Sequence, residues 1–159
     1  MKIDRKIVDI NTYVPILREI LSQGKEVSIT ITGNSMSPFL VHGRDEIVIT
    51  PPDGKWKKGD MAFFMRANGR YIMHRICKVE KSGECYFVGD AQQEIEGPIQ
   101  PCQIFGKITK VKRKGKWIGP EDFWWIFFER VWINLIPFRP LLRRIYGMIC
   151  RMKKLCGII

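Results

Sequence analysis

Between residues 25 and 118 the chain is a succession of short β-branched and aromatic runs, each ended by a tight-turn signal. The turn signals are Gly33-Asn34, Pro51-Pro52-Asp53-Gly54, Asn68-Gly69, Ser82-Gly83 and Gly97-Pro98. The runs predicted to be strands cover residues 27–32, 46–50, 61–65, 71–79, 85–88 and 104–111. Many short strands joined by tight turns predict an all-β or mostly β body over residues 25–118.

Helical patterns flank this body. Apolar residues at three- and four-residue spacing predict a short amphipathic helix over residues 11–22. After Gly119-Pro120 the aromatic run at residues 121–136 predicts a second amphipathic helix, and residues 141–155 predict a third. The chain is therefore divided into an N-terminal helical segment (1–24), a β domain (25–118) and C-terminal amphipathic helices (119–159).

Charge and cysteine content narrow the choice of partners. The formal net charge is +11, from 27 Lys and Arg against 16 Asp and Glu, which predicts an anionic partner surface. The five cysteines are odd in number and form no CxxC pair, so we expect free thiols in a reducing cytosol rather than a zinc site or a disulfide framework. No metal or other cofactor is expected. Residues 1–10 have no apolar stretch, so neither a signal peptide nor an N-terminal anchor is expected.

The segment Gly33-Asn34-Ser35-Met36-Ser37-Pro38 follows the first predicted strand. Gly33 permits a sharp turn, and Pro38 stiffens the exit from it. Ser35 would then be presented at a strand end, near backbone N–H groups that could face a developing oxyanion. Because a serine hydroxyl needs a base to become a nucleophile, Ser35 taken alone is more simply an ordinary turn serine.

A histidine and several acids lie further along the chain. His74 lies in the predicted strand at residues 71–79, and an imidazole, with a pKa of about 6.5, can accept a proton at neutral pH. A carboxylate could orient this ring and stabilise its protonated form, with Asp90 as the first choice and Glu96 as the second. His42, outside any strand pattern, is predicted to be a loop residue.

In order and spacing these residues resemble the type I signal peptidase and LexA-like serine peptidase superfamily. Gly33 to Pro38 resembles the nucleophile box, Gly59-Asp60 the mid-domain Gly-Asp, and Val88-Gly89-Asp90 the last box. Bacterial signal peptidases and LexA-like proteins have a lysine base. This chain has Met73-His74-Arg75-Ile76 instead, which is similar to the Ser–His branch of archaeal, endoplasmic-reticulum and some Gram-positive signal peptidases.

The resemblance implies a twisted, coiled β-fold that binds an extended peptide by adding it to a sheet edge. It also implies a serine endopeptidase that cleaves a leader or precursor peptide, with Ser35 as nucleophile and His74 as base. The Asp at the second acidic position of the Ser–His branch is replaced here by Glu94 or Glu96. The expected substrate-binding residues are Met36, Pro38 and Met73. A non-catalytic peptide-binding or regulatory module on the same fold is the alternative.

The C-terminal segment has features of a membrane-surface element. Its tryptophans favour the headgroup layer, its basic residues attract anionic lipid, and the aromatic run is shorter than the roughly 20 apolar residues of a span. We expect peripheral contact with the cytoplasmic face of the membrane, with packing on the β body as the alternative. The expected membrane-binding residues are Trp124, Trp125, Trp132, Arg143 and Arg144. Nucleic-acid binding is not expected, because the basic stretch at residues 107–116 has no interleaved aromatic residues.

Overall fold

A computed structural model describes residues 10–142, 144, 145 and 148. The chain forms an eight-stranded antiparallel open sheet, preceded by a short helix and followed by short helical segments, which confirms the mostly β prediction. The elements of the body are α1 (Ile10–Ser22), β1 (Val27–Thr30), β2 (Glu46–Thr50), β3 (Met61–Met65), β4 (Tyr71–Val79), β5 (Cys85–Val88), β6 (Glu96–Ile99), β7 (Ile104–Arg113) and β8 (Lys116–Ile118).

The strand order is β1-β2-β7-β3-β4-β5-β6, and β8 pairs with the C-terminal end of β7. The long strand β7 joins the two parts of the sheet, because β2 pairs with one side of it and β3 with the other. In the hairpin of β3 and β4, Ala62 is opposite His74. Strand β5 pairs with β4 only from Arg75 onward, so the first half of β4 is not paired with β5.

Two strands, β6 and β8, were not predicted. β6 reads Glu-Gly-Pro-Ile, and glycine and proline both count against a strand. β6 ends the strand order, and proline is tolerated in an end strand because one side of it needs no donor. β8 has only three residues and forms a hairpin with the end of β7.

One hydrophobic core joins three parts of the chain that are distant in sequence. α1 packs against the sheet through Val14, Leu17 and Leu21, all of which are buried. The loop after β1 and the C-terminal segment contribute to the same core. Their buried members are Ile31, Met36, Phe39, Leu40, Trp125, Phe128 and Trp132.

The predicted helix at residues 121–136 is not one continuous helix. It comprises α2 (Phe123–Ile126), a π-helical turn (Phe127–Val131) and a 3₁₀ turn (Trp132–Asn134), followed by a further 3₁₀ turn (Ile136–Phe138). The Asp122 carboxylate caps α2 by accepting from Trp124 N at 2.8 Å. Most of the third predicted helix, at residues 141–155, lies outside the described residues. No helix among the described residues is both long and apolar enough to cross a membrane.

Candidate active site

Ser35 lies in a loop whose anchors are buried. Gly33 has φ of +86°, a left-handed conformation that favours glycine, and its N–H donates to His42 Nδ1 at 3.0 Å. Ser35 itself is half-buried, while Met36 directly after it is 2% exposed. Phe39 further along the loop is fully buried. The buried side chains of Met36 and Phe39 therefore anchor the loop in the core, while Ser35 remains near the surface.

His42 is confirmed as a loop residue. It is exposed, and its Nδ1 accepts the hydrogen bond from the N–H of Gly33. That contact supports the turn before Ser35.

His74 is a buried imidazole beside a carboxylate. Its side chain is 2% exposed, and its Nδ1 lies 3.0 Å from Glu96 Oε1. The two atoms are at ion-pair distance, but Nδ1 makes no well-aligned hydrogen bond. The pKa of His74 lies below its usual value, mainly because of burial. The charge of Glu96 acts in the opposite direction, and that of Arg66 in the same direction as burial. The ring is therefore neutral at neutral pH, as a general base must be.

Glu96 is held by an arginine as well as facing His74. Arg66 Nε donates to Glu96 Oε2 at 2.5 Å, and Arg66 Nη2 donates to Oε1 at 2.6 Å. Burial raises the pKa of the Glu96 carboxyl, but the hydrogen bonds and charge of Arg66, together with His74, outweigh burial and leave it below the usual value. The carboxylate of Glu96, at the start of β6, thus lies between the cation of Arg66, at the β3–β4 hairpin, and the neutral ring of His74.

Asp90 has a different partner. Its Oδ1 accepts from Arg75 Nε at 3.0 Å and its Oδ2 from Arg75 Nη2 at 2.9 Å, and both side chains are fully buried. This bidentate pair uses both carboxylate oxygens of Asp90. The expectation that Asp90 would be the first choice to orient His74 is therefore corrected: Glu96 faces the ring. The reason is that Arg75, next to His74 along β4, would otherwise be an unpaired buried cation.

The loop at residues 89–92 lies directly against Ser35. Ala91 N donates to the Ser35 carbonyl at 2.8 Å. A Cβ on Gly89 would lie 2.7 Å from the same carbonyl oxygen, closer than real Cβ contacts allow. Glycine is required at position 89 because the loop passes this close to the Ser35 backbone. The last Gly-Asp motif of the sequence thus contacts the backbone of Ser35 and, through Asp90, the arginine beside His74.

A cavity of about 270 Å³ runs beside Ser35. One wall is the end of β1 and the segment after it, from Ile29 to Gly33, and the other includes Tyr71, Ile72 and Met73 at the start of β4. Of the three residues predicted to bind substrate, Met36 and Met73 line this cavity, whereas Pro38 is exposed and does not line it. The cavity therefore joins Ser35 to the residue that precedes His74.

The residues expected to bind a membrane are divided by the fold. Trp124 is 50% exposed, and Arg144 is also exposed. Trp125 and Trp132 are only 6% and 7% exposed because they pack in the core, so the expectation that their rings contact lipid is corrected. Arg143 lies outside the described residues. Part of this segment thus packs on the β body, while another part is exposed to solvent.

Sequence reasoning missed the arginines of the site. Arg66 holds Glu96, Arg75 pairs with Asp90, and Arg139 is 1% exposed against the loop at residues 89–92. Arginine is rarely buried, so its identity alone gave no signal. Only Arg75 was detectable, through its place directly after His74 in the strand pattern.

The charge on Arg66 should contribute to the lowered pKa of His74. Replacing Arg66 with glutamine removes a cation next to Glu96, so the imidazolium becomes easier to form and the pKa of His74 should rise. NMR titration of the ring Cε1–H signals measures this directly, since the chain has two histidines and His42→Gln assigns them. Arg70→Gln, the same charge change in the same hairpin, is the control and should leave the pKa of His74 nearly unchanged. An unchanged or lowered pKa of His74 in Arg66→Gln would contradict this effect of the Arg66 charge.

Comparison of the chain with protein-family models and with curated proteins finds no match. Within the described residues, no three or more His, Cys, Asp or Glu side chains are grouped to hold a metal ion. The candidate site combines a serine at a cleft, a buried neutral imidazole, and a carboxylate on the Nδ1 side of that imidazole.

Proposed function

We propose that this chain is a serine endopeptidase of the signal peptidase type, in its Ser–His branch, and that its sheet is the twisted, coiled β-fold of that superfamily. It would cleave a leader or precursor peptide. The observation that carries the proposal is the pairing of the buried His74 with Glu96. The residue before His74 on the same strand, Met73, lines the same cavity as Ser35. A buried imidazole with a carboxylate at one nitrogen is the arrangement that activates a serine hydroxyl.

In the proposed reaction the two ring nitrogens of His74 have separate roles. Nδ1 faces Glu96, which leaves Nε2 to accept the proton of Ser35 Oγ. Oγ attacks the scissile carbonyl, and backbone N–H groups at the Ser35 turn stabilise the oxyanion. The protonated ring then gives its proton to the leaving amine, and a water activated by the same nitrogen hydrolyses the acyl-enzyme. Only the neutral ring can begin this cycle, so activity should fall as the pH drops through the lowered pKa of His74.

Substrate binding is proposed to occur by strand addition. β1 ends the strand order, so one of its edges is not used by β2, and the first half of β4 lies across the cavity from it. An extended peptide between these walls would gain backbone hydrogen bonds, while the apolar lining from Ile29, Phe63 and Met73 would receive its side chains. The alternative, a module that binds peptides without cutting them, would use the same cavity, so binding alone does not separate the two functions.

Cleavage of a peptide library separates the two functions. The wild-type chain is incubated with a proteome-derived peptide library, and new termini are identified by mass spectrometry. The expected result is a set of cleavage sites that share a residue preference and are missing with Ser35→Ala. Enrichment of peptides on the immobilised wild-type chain without any cleavage would instead support the non-catalytic module.

We further propose that the chain docks on the cytoplasmic face of an anionic membrane through a C-terminal apolar patch. The patch consists of the exposed side chains Phe123, Trp124, Val131, Phe138, Leu141, Ile145 and Met148. Large apolar side chains concentrated in one exposed segment are unusual for a free surface, and the net charge of +11 matches an anionic lipid layer.

Vesicle flotation tests the docking. We expect the wild-type chain to float with phosphatidylglycerol vesicles and to bind them less at high salt. The double variant Trp124→Ser/Phe138→Ser should partition onto these vesicles about tenfold or more weakly than the wild type. Trp117→Ser is the matched control, because Trp117 is 44% exposed but lies on β8, outside the patch. Equal flotation with neutral phosphatidylcholine, or undiminished binding by the double variant, would contradict the docking.

A further inference from the structure

The outward side of the C-terminal segment is accounted for by the proposed docking, but its inward side contacts the candidate active site. Arg139 Nη1 donates to the carbonyls of both Gly89 and Gln92, each at 2.7 Å. Trp132 Nε1 donates to the carbonyl between them, that of Asp90, at 2.9 Å. Three backbone carbonyls of the loop at residues 89–92 are thus bound by two side chains from the C-terminal segment.

The Ser35 loop is contacted by the same segment. Phe39, four residues after Ser35 and fully buried, packs edge-to-face with Trp125 at a centroid distance of 6.1 Å. It also meets the ring of Phe128 at 4.8 Å. Aromatic pairs of this kind favour defined relative positions of the two rings. The loop that carries the proposed nucleophile therefore rests on the C-terminal segment.

The two contacts converge at the Ser35 backbone. The loop at residues 89–92 meets Ser35 through the hydrogen bond from Ala91 N to the Ser35 carbonyl. The same loop meets the strand of the base through the buried pair of Asp90 with Arg75. A shift of this loop would therefore displace Ser35 relative to His74.

Burying the guanidinium of Arg139 costs free energy, which suggests that its hydrogen bonds have a structural role. Its side chain is 1% exposed, and its hydrogen bonds go to backbone carbonyls, including that of Trp132 at 3.3 Å. A buried guanidinium loses its hydration, and hydrogen bonds to neutral carbonyls compensate for this loss less than an ion pair with a carboxylate would. Its planar fork, however, can hold several acceptors in one geometry. Arg139 therefore holds the carbonyls of Gly89 and Gln92 in a fixed relative position.

We infer that Arg139 and Trp132 are positioning residues of the Ser35 site. They fix the loop at residues 89–92 and, through the bond from Ala91 to Ser35, set the position of the nucleophile relative to its base. The inference rests on the proposed function. It makes residues 123–139 a component of the catalytic unit.

The experiment uses the full chain and two readouts. The first is hydrogen exchange of the Ala91 amide, which reports the contact with Ser35 whether or not the chain is an enzyme. The second is the rate at which a fluorophosphonate probe labels Ser35, followed by intact mass, together with kcat and KM on a peptide cleaved in the library. The variants are Arg139→Met, Arg139→Lys and Trp132→Phe, and exposed Arg130→Met is the matched control in the same segment.

Arg139→Met should speed exchange at Ala91 by about tenfold or more and slow both labelling and kcat by about 10- to 100-fold, with KM little changed, because small misplacements of reacting groups are costly. Arg139→Lys should recover part of the rate, since an ammonium can still donate to a carbonyl. Should Arg139→Met fail to fold, Trp132→Phe keeps an aromatic side chain but removes the hydrogen bond from the indole N–H to the Asp90 carbonyl, and it should show the same effects in weaker form. Arg130→Met should match the wild type.

Wild-type labelling and kcat in both Arg139→Met and Trp132→Phe would overturn the inference, whatever happens to their melting temperatures. A wild-type chain that neither labels nor cleaves, while Arg139→Met still speeds exchange at Ala91, would overturn the proposed function and the positioning role with it. The contact of the C-terminal segment with the loop would then stand as a structural one.

Discussion

Replacing Ser35 with alanine is expected to lower the rate of peptide cleavage by at least about 10⁴-fold, and replacing His74 with alanine by a similar factor. The two residues would act as one unit, because the hydroxyl is a poor nucleophile without the base and the base has nothing to activate without the hydroxyl. The double variant should therefore lose little more than either single variant. Rates of cleavage of one library-derived peptide, measured under single-turnover conditions, check this non-additivity.

Ser37→Ala is the control for this experiment, because Ser37 lies in the same loop and is held there by a backbone hydrogen bond to Asn34 at 3.1 Å. It should cleave at nearly the wild-type rate. Cleavage at the wild-type rate by Ser35→Ala would place the nucleophile elsewhere or remove the peptidase proposal altogether.

Amide substitution of the two acids should affect different properties, namely stability for Asp90 and turnover for Glu96. Asp90→Asn leaves the fully buried Arg75 without its counter-charge, so the free energy of unfolding should fall by about 3–5 kcal/mol. Glu96→Gln disturbs a pair with Arg66 that is partly exposed, a kind typically worth about 0–1 kcal/mol, so stability should change little. Turnover in Glu96→Gln should nevertheless fall by about 10²- to 10⁴-fold, because the carboxylate that stabilises protonated His74 is lost.

Urea denaturation and steady-state kinetics on both variants measure these effects. An apolar pair at the buried site, Arg75→Met with Asp90→Leu, is the control, and it should recover much of the lost stability because no charge is left unpaired. If instead Glu96→Gln turns over normally and Asp90→Asn is stable but inactive, the roles assigned to the two acids are reversed.

The strands predicted from sequence are those whose apolar and β-branched residues are continuous. β2 to β5 lie where they were expected, and β7 extends two residues beyond its prediction. β6 was missed because Gly97 and Pro98 lie in it. This omission also explains the choice of acid: without knowing that Glu96 begins a strand paired with β5, nothing in the spacing placed it beside His74. Long-range pairing decides this contact, and local pattern does not report it.

The C-terminal segment shows a different limit. A helical wheel assumes 3.6 residues per turn, and on that assumption Trp124 and Trp132 fall on one stripe. The π-helical turn at Phe127–Val131 and the 3₁₀ turn after it change the rotation per residue, so Trp124 is exposed while Trp132 is buried. The composition correctly indicated an apolar segment, but which side faces the body depends on packing against Phe39 and its neighbours.

The two end strands of the sheet differ in what they offer to another chain. β6 contains Pro98, which cannot donate a backbone hydrogen bond and so obstructs the addition of a further strand. β1 contains no proline and lies beside the cavity at Ser35. An edge that is free to pair with a peptide is equally free to pair with the same edge of a second copy. Self-association through β1 and peptide binding would then compete for the same backbone groups, so aggregation at high protein concentration should be suppressed by any peptide that occupies the cavity.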